Sequence, residues 1–365
     1  VMKKENLAAL AAMSNRYGSD PAYVLAGGGN TSYKEKDVLF IKGSGTALAT
    51  IKAEEFVGID REKLGAIWGK TYPEKESERE AAVLADMMAS RLPGETRRPS
   101  VETLLHDLFP YSFVLHVHPA TVNGLTCSKE GKKAAAELFP DAVWIENSKP
   151  GYLLAALCRG RLAGRVSAGG GFPKIVFLEN HGIFFAADTT GEIDVTVARV
   201  MKGIAGRLSE LPDASDAPVD LKKAEEIAAK LAGLCGEGGT AFVKHIRQRS
   251  LLGYDPLTGS LTPDHIVYCK AKPLIIRDGE DIASAFSAYR ANNGYKPKVV
   301  YCRGLGAFCL GNSEREAEIA AEVFWDAVKI TVYARSFGGV SPMPRDLEDF
   351  IVNWEVESYR SKVKV

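Results

Sequence analysis

Six histidines are scattered through 365 residues, and two of them, His116 and His118, are separated by a single valine. They lie in Phe113-Val114-Leu115-His116-Val117-His118, an apolar run of strand type that stops at Pro119. In a strand, residues i and i+2 point to one face, so the two imidazoles share a side. Such a pair suits a divalent cation, with a third ligand brought from elsewhere and, in a catalytic zinc site, one position left for substrate. The same pattern also serves two partly buried histidines with ordinary hydrogen bonds. His181 stands in Glu179-Asn180-His181-Gly182, between two strand-type runs, at a turn from which a side chain reaches a cleft.

Three further segments carry usable groups. Glu102 follows Ser100 by two residues, in the first turn of a helix for which Ser100 is the expected N-cap. An acidic residue suits the helix dipole there, and beside a metal-bound substrate it is also a candidate general base. His106 lies four residues on and can share the face of Glu102 in a supporting role. Gly27-Gly28-Gly29-Asn30-Thr31-Ser32 offers backbone N–H groups and short polar side chains, and Lys42-Gly43-Ser44-Gly45 adds a cation. With Ser100 beside Arg97 and Arg98, these loops are candidates for a phosphate pocket, although each glycine loop alone also serves as an ordinary turn. Neither has P-loop spacing, and no strand-linked GxGxxG occurs, which argues against a dinucleotide site.

The elements that must position these residues alternate between strand and helix. Helices are expected over Leu7–Tyr17, Glu76–Arg91, from Pro99-Ser100 onward, Gly151–Leu162 and Thr190–Leu208. Strands are expected at Val38–Ile41, Phe113–His118, Lys174–Leu178 and Ile183–Ala187. That alternation gives an α/β or α+β class. The 46 basic and 46 acidic residues cancel, so there is no basic surplus for nucleic acid. No apolar run is long enough to span a membrane, and the N-terminal segment lacks the pattern of a signal peptide. The six cysteines form no CxxC pair and read as buried cytosolic thiols.

A polar, acidic, proline-bearing stretch from Ser209 to Asp220 marks a boundary between residues 1–210 and a second segment, 221–365. An internal echo crosses it. Pro173–Phe185 lies on Pro297–Cys309 without a gap, matching Pro, Lys, one Val, Gly and Phe, and placing Leu305 where His181 stands. A weaker echo relates Leu39-Phe40-Ile41-Lys42 to Val267-Tyr268-Cys269-Lys270. Read together, these describe a degenerate partial repeat that has lost its middle.

Taken in order, Gly29-Asn30-Thr31-Ser32, Ser44-Gly45, Ser100-Val101-Glu102, His116-Val117-His118-Pro119 and Asn180-His181-Gly182 resemble the class II (metal-dependent) aldolase/adducin family over roughly the first 210 residues. The whole length, with Gly304–Phe308 and the tail around Pro342 to Trp354, is similar to the aldolase half of bifunctional rhamnulose-1-phosphate aldolase/lactaldehyde dehydrogenase proteins. Pro99 stands where family members often have a second serine.

The resemblance implies a three-layer α/β/α fold around a mainly antiparallel sheet, with a C-terminal α+β extension. It implies Zn²⁺ or another divalent cation on His116, His118 and His181, and Glu102 as acid/base. Asn30, Ser32, Ser44, Gly45 and Ser100 would hold the phosphate of a ketose 1-phosphate. Cleavage would give dihydroxyacetone phosphate and an aldehyde through a metal-stabilised enediolate. Glu146 and Tyr152 are candidates for the second acid/base. The alternatives are a same-family sugar-phosphate epimerase or dehydratase and, more remotely, a non-catalytic adducin-like binding module. The expected setting is a cytoplasmic homo-oligomer acting on a small sugar phosphate, without nucleic-acid or membrane partners.

Overall fold

The computed structural model describes residues 2–235, 241–256 and 258–354; the end of the second expected segment, 355–365, lies outside them. Two compact units result: residues 2–122, 132–206 and 353–354 form the first, and 123–131 and 207–352 the second.

The first unit opens with α1 (Met2–Gly18), followed by β1 (Asn30–Glu35), β2 (Val38–Ile41), β3 (Val57–Asp60), α2 (Arg61–Ala66), α3 (Glu76–Ala89) and α4 (Thr103–Leu108). Then come β4 (Phe113–Val117), α5 (Ala120–Thr126), which passes into the second unit after Val122, α6 (Gly131–Leu138), β5 (Val143–Ile145), α7 (Tyr152–Ser167), β6 (Ile175–Leu178), β7 (Gly182–Ala187) and α8 (Thr190–Ala205). The seven strands form one sheet in the order β3-β2-β1-β4-β7-β6-β5. Only β5 and β6 run parallel; every other neighbour is antiparallel. The sheet is a central layer, with α4 and α7 against one face and α1 and α8 against the other.

Strand periodicity explains the layers. Val114, Phe184 and Ala186 share a face and join Leu104, Leu105, Leu154 and Leu162 in one core cluster. The buried side of α8 is Ile193, Val197, Val200 and Ile204, spaced to make one stripe. Each such side chain contributes about 1.5–3 kcal/mol when withdrawn from water. Thr189 caps α8 by accepting from the Glu192 N–H.

Two expectations change. β1 begins at Asn30, so the end of the glycine run is strand and not loop. The helix expected from Ser100 begins at Thr103, with Glu102 at the N-cap position. Ser100 caps a tighter turn, its hydroxyl accepting the Glu102 N–H at 3.2 Å.

The second unit contains α9 (Leu221–Cys235), β8 (Phe242–Ile246), α10 (Arg249–Leu252), α11 (Pro263–Cys269), β9 (Leu274–Ile276), α12 (Ile282–Asn293), β10 (Val299–Cys302), β11 (Gly306–Gly311), α13 (Glu314–Ala334) and α14 (Arg345–Asn353). Its sheet runs β8-β11-β10-β9. Val267–Cys269 are helical while Leu39–Ile41 are strand, so the weaker echo is a chance likeness. All six cysteines are free thiols. Among the described residues, no helix is long and apolar enough to cross a membrane.

Candidate metal and acid–base site

β4 carries His116 to the centre of the sheet, and His118 follows directly after its last residue. β7 lies antiparallel beside β4, with His116 opposite Phe184, and the two rings stack at 4.1 Å. The β6–β7 turn brings in His181. Asn180 adopts φ 53°, a left-handed conformation that asparagine tolerates better than most residues. The His181 N–H then closes the turn on the Leu178 carbonyl at 3.2 Å. At Gly182 a Cβ would stand 2.6 Å from both His118 Cδ2 and the Val117 carbonyl oxygen. Asn-His-Gly is thus a construction: a residue for the bend, the ligand, and a residue without a side chain where two histidines pass.

The three imidazoles converge. His116 Nε2 is 2.9 Å from His118 Nε2 and 3.4 Å from His181 Nε2, and one nitrogen from each ring lies within 4.8 Å of the others. Tetrahedral zinc, with Zn–N of roughly 2.0–2.1 Å, places its nitrogens about 3.3 Å apart. His116 Nδ1 donates to the Ile183 carbonyl at 2.9 Å, which leaves Nε2 as the coordinating atom. Burial pushes the His116 imidazole well below its ordinary pKa, only partly opposed by Glu102, so it stays neutral, the form that binds metal. The donor set fits a divalent cation.

Glu102 faces this cluster, with Oε1 3.4 Å from His116 Nε2 and 3.5 Å from His181 Nε2. Burial works against its charge, the Asn30 amide favours it, and the carboxyl is held below the usual range. Its second oxygen is tied from behind. Asn30 lies opposite His116 in the β1–β4 ladder and therefore points to the same face. Its Nδ2 donates to Glu102 Oε2, and its Oδ1 accepts from His106 Nε2. His106 Nδ1 in turn accepts from the Ser32 hydroxyl at 2.7 Å. Burial lowers His106 to about 3, so the ring is neutral and donates in one direction only. Lys34, also buried, donates to the His106 carbonyl at 2.8 Å.

The Asn30 amide and the fully buried Ser32 hydroxyl are engaged with Glu102 and His106. Ser44, Gly45 and Ser100 do come together. Gly43 bridges to Pro99, the Ser44 N–H donates to the Arg98 carbonyl at 2.8 Å, and the Ser100 N–H donates to the Lys42 carbonyl at 3.1 Å.

The sequence profile of the "Class II Aldolase and Adducin N-terminal domain" family matches residues 8–193, just over half of the chain. The chain belongs to this family. A curated relative, "Uncharacterized oxidoreductase YuxG" of Bacillus subtilis, is 24% identical over 95% of this chain. The chain spans 57% of that relative's length. Among solved structures, the N-terminal class II aldolase domain of a conserved Thermoplasma acidophilum protein is similar at 28% identity, covering 54% of this chain and 91% of that one, with a TM-score of 0.46. The L-fuculose-1-phosphate aldolase of Thermus thermophilus is similar at 15% identity, covering 54% and 93%, with a TM-score of 0.36.

The two remaining acid/base candidates of this class II aldolase-type domain have the following partners. Glu146 pairs with Lys132 at 2.9 Å and Arg161 at 3.2 Å. Tyr152 packs its ring against Trp68 and Tyr72, at 5.8 and 5.2 Å between centroids. Sequence reasoning missed Lys34 and the packing role of Gly182. The first carried no signal, and the second was readable only as a glycine after a turn histidine.

Proposed function

We propose that the chain is a zinc-dependent aldolase that cleaves a ketose 1-phosphate of the rhamnulose-1-phosphate kind to dihydroxyacetone phosphate and an aldehyde. The observation that carries this reading is a cluster of three converging histidines with one carboxylate oxygen 3.4–3.5 Å from two of its nitrogens. His116, His118 and His181 would hold the cation, which when bound supplies Lewis-acid stabilisation of the enediolate's negative charge.

The chain's own groups divide the remaining work. Glu102 rests as a carboxylate, the form that withdraws a proton from the carbon beside the carbonyl of dihydroxyacetone phosphate in condensation. In cleavage it returns that proton to the same carbon after the C3–C4 bond has broken. Asn30 fixes Oε2, so Oε1 is the oxygen that handles the proton. The laced loops at Ser44-Gly45 and Ser100 would seat the phosphate, with Lys42 and Arg98 as nearby positive charge. The longer relative's oxidoreductase name accords with reading this chain as the aldolase part of a two-activity protein.

The test is release of dihydroxyacetone phosphate from rhamnulose-1-phosphate, fuculose-1-phosphate and ribulose-5-phosphate, before and after chelation and zinc repletion. Cleavage of a ketose 1-phosphate that disappears with the metal and returns with zinc is expected. Glu102→Gln should keep the metal and lose about 10²–10⁴-fold in turnover. Turnover near the parent's would reduce Glu102 to a helix-start charge, and isomerised or dehydrated products alone would overturn the aldolase assignment.

A further inference from the structure

The second unit reproduces the metal-binding half of the first, element by element. After β4 come two helices, β5, α7, the β6–β7 hairpin and α8; after β8 come two helices, β9, α12, the β10–β11 hairpin and α13. The sheet orders β4-β7-β6-β5 and β8-β11-β10-β9 correspond, and in each only the last pair is parallel.

The registers agree residue by residue. Phe184 pairs with His116 and Val176, and Phe308 pairs with His245 and Val300. Val143 faces Val176 as Leu274 faces Val300. Local chemistry repeats as well. Lys174 pairs with Glu192 at 2.8 Å, and Lys298 with Glu316 at 3.1 Å. Thr189 and Ser313 cap the following helices in the same way. Asn180 and Gly304 make the same left-handed bend, at φ 53° and 77°. These pairings extend the sequence echo upstream, where Phe-Val-Leu-His-Val-His at 113–118 meets Phe-Val-Lys-His-Ile-Arg at 242–247. What is missing from the second copy is therefore its beginning, the β1–β3 portion, and not its middle.

We infer that residues 242–334 are a second copy of the metal-binding half, and that they retain a relict divalent-cation site with one ligand left. His245 stands at the position of His116 and still stacks on its phenylalanine, 4.6 Å from Phe308. Its Nε2 still points to the hairpin turn, 2.8 Å from the Leu305 carbonyl. The position of His118 is taken by Arg247, whose guanidinium pairs with Asp216 at 2.8 Å and donates to the Ala217 carbonyl. The position of His181 is taken by the buried Leu305. A fixed positive charge and an aliphatic side chain replace two neutral donors, so the copy keeps the scaffold and loses the ion.

This inference rests on reading His116, His118 and His181 as metal ligands, and the test separates the two. The full chain is stripped with chelator, dialysed against Zn²⁺, and its bound zinc is measured by mass spectrometry. One zinc per chain is expected for the parent, and none would defeat the metal reading itself. In R247H/L305H the expected content is two, and in R247H/L305H/H181A the second site is expected to bind zinc alone. A parent with one zinc and a folded R247H/L305H that still binds one would overturn the repeat. Should that variant fail to fold, an experimental structure of the unmodified chain decides. His245 superposing on His116 when β8–β11 is laid on β4–β7 would support the copy, and a mismatch in register would end it.

Discussion

Gly182→Ala inserts one carbon beside two of the three histidines without replacing a ligand. The new Cβ would lie 2.6 Å from His118 Cδ2 and 2.6 Å from the Val117 oxygen, while ordinary contact begins at 3.4 Å. About 0.8 Å of movement must therefore be found. Val117 is opposite Ile183 in the β4–β7 ladder, so the backbone gives little and His118 takes up the displacement. Zinc–ligand distances tolerate only about 0.2 Å, so the ring cannot yield by the required amount and remain a good ligand. The expected cost is about 1–3 kcal/mol of stability from overpacking and roughly 10–100-fold in metal affinity, the range seen when the support of a ligand is disturbed. Competition with a chromophoric chelator gives the affinity, and melting of the metal-free protein gives the stability. Gly160→Ala is the control, since a Cβ at this position of α7 meets nothing within 4 Å. Unchanged zinc affinity in Gly182→Ala would refute the argument that this glycine exists to let the histidines pass.

Ser44→Ala and Ser100→Ala should chiefly raise KM, because a phosphate contact is felt in ground and transition states alike; inorganic phosphate should compete with substrate, and equal activity on a dephosphorylated ketose would contradict the pocket. Burial lowers Lys34 from 10.5 to about 7, so between those values the unfolded chain binds the extra proton and folding stability rises with pH. Lys34→Met should flatten that rise in denaturant titrations run across the interval, and an unaltered slope would show that Lys34 is not the group responsible.

The chemistry-bearing residues were legible wherever their spacing matched an element's period. His-Val-His sits on a strand that alternates as strands must, and Asn-His-Gly occupies a turn whose backbone demands those neighbours. β1 was not legible, because Asn30-Thr31-Ser32-Tyr33-Lys34-Glu35 is polar throughout yet buried over its first five residues. Pairing with β2 and β4 satisfies its backbone, and a buried polar strand gives no hydrophobic period to read. For the same reason the hydrogen-bond partners of Asn30 and Ser32 could not be taken from their loop-like composition; they follow from register. Ser100 looked like an N-cap because its type and place are right for one, but the chain makes a separate turn before α4 starts. The repeat was half visible: the hairpin echo survives in sequence, while the β4–β8 correspondence becomes persuasive only when strand pairing supplies the alignment.

The hydrogen-bonded chain from Ser32 through His106 and Asn30 to Glu102 leaves one carboxylate oxygen on the cluster side. On the proposed chemistry, that oxygen reaches a planar carbon from a single direction. The two hydrogens on that carbon of dihydroxyacetone phosphate are then inequivalent to the protein, and only one is removed and restored. Prochirality at the donor carbon would thus be decided by an asparagine that neither binds the ion nor transfers a proton. A substitution at Asn30 that frees the carboxylate to swing would let the second hydrogen of that carbon be exchanged as well.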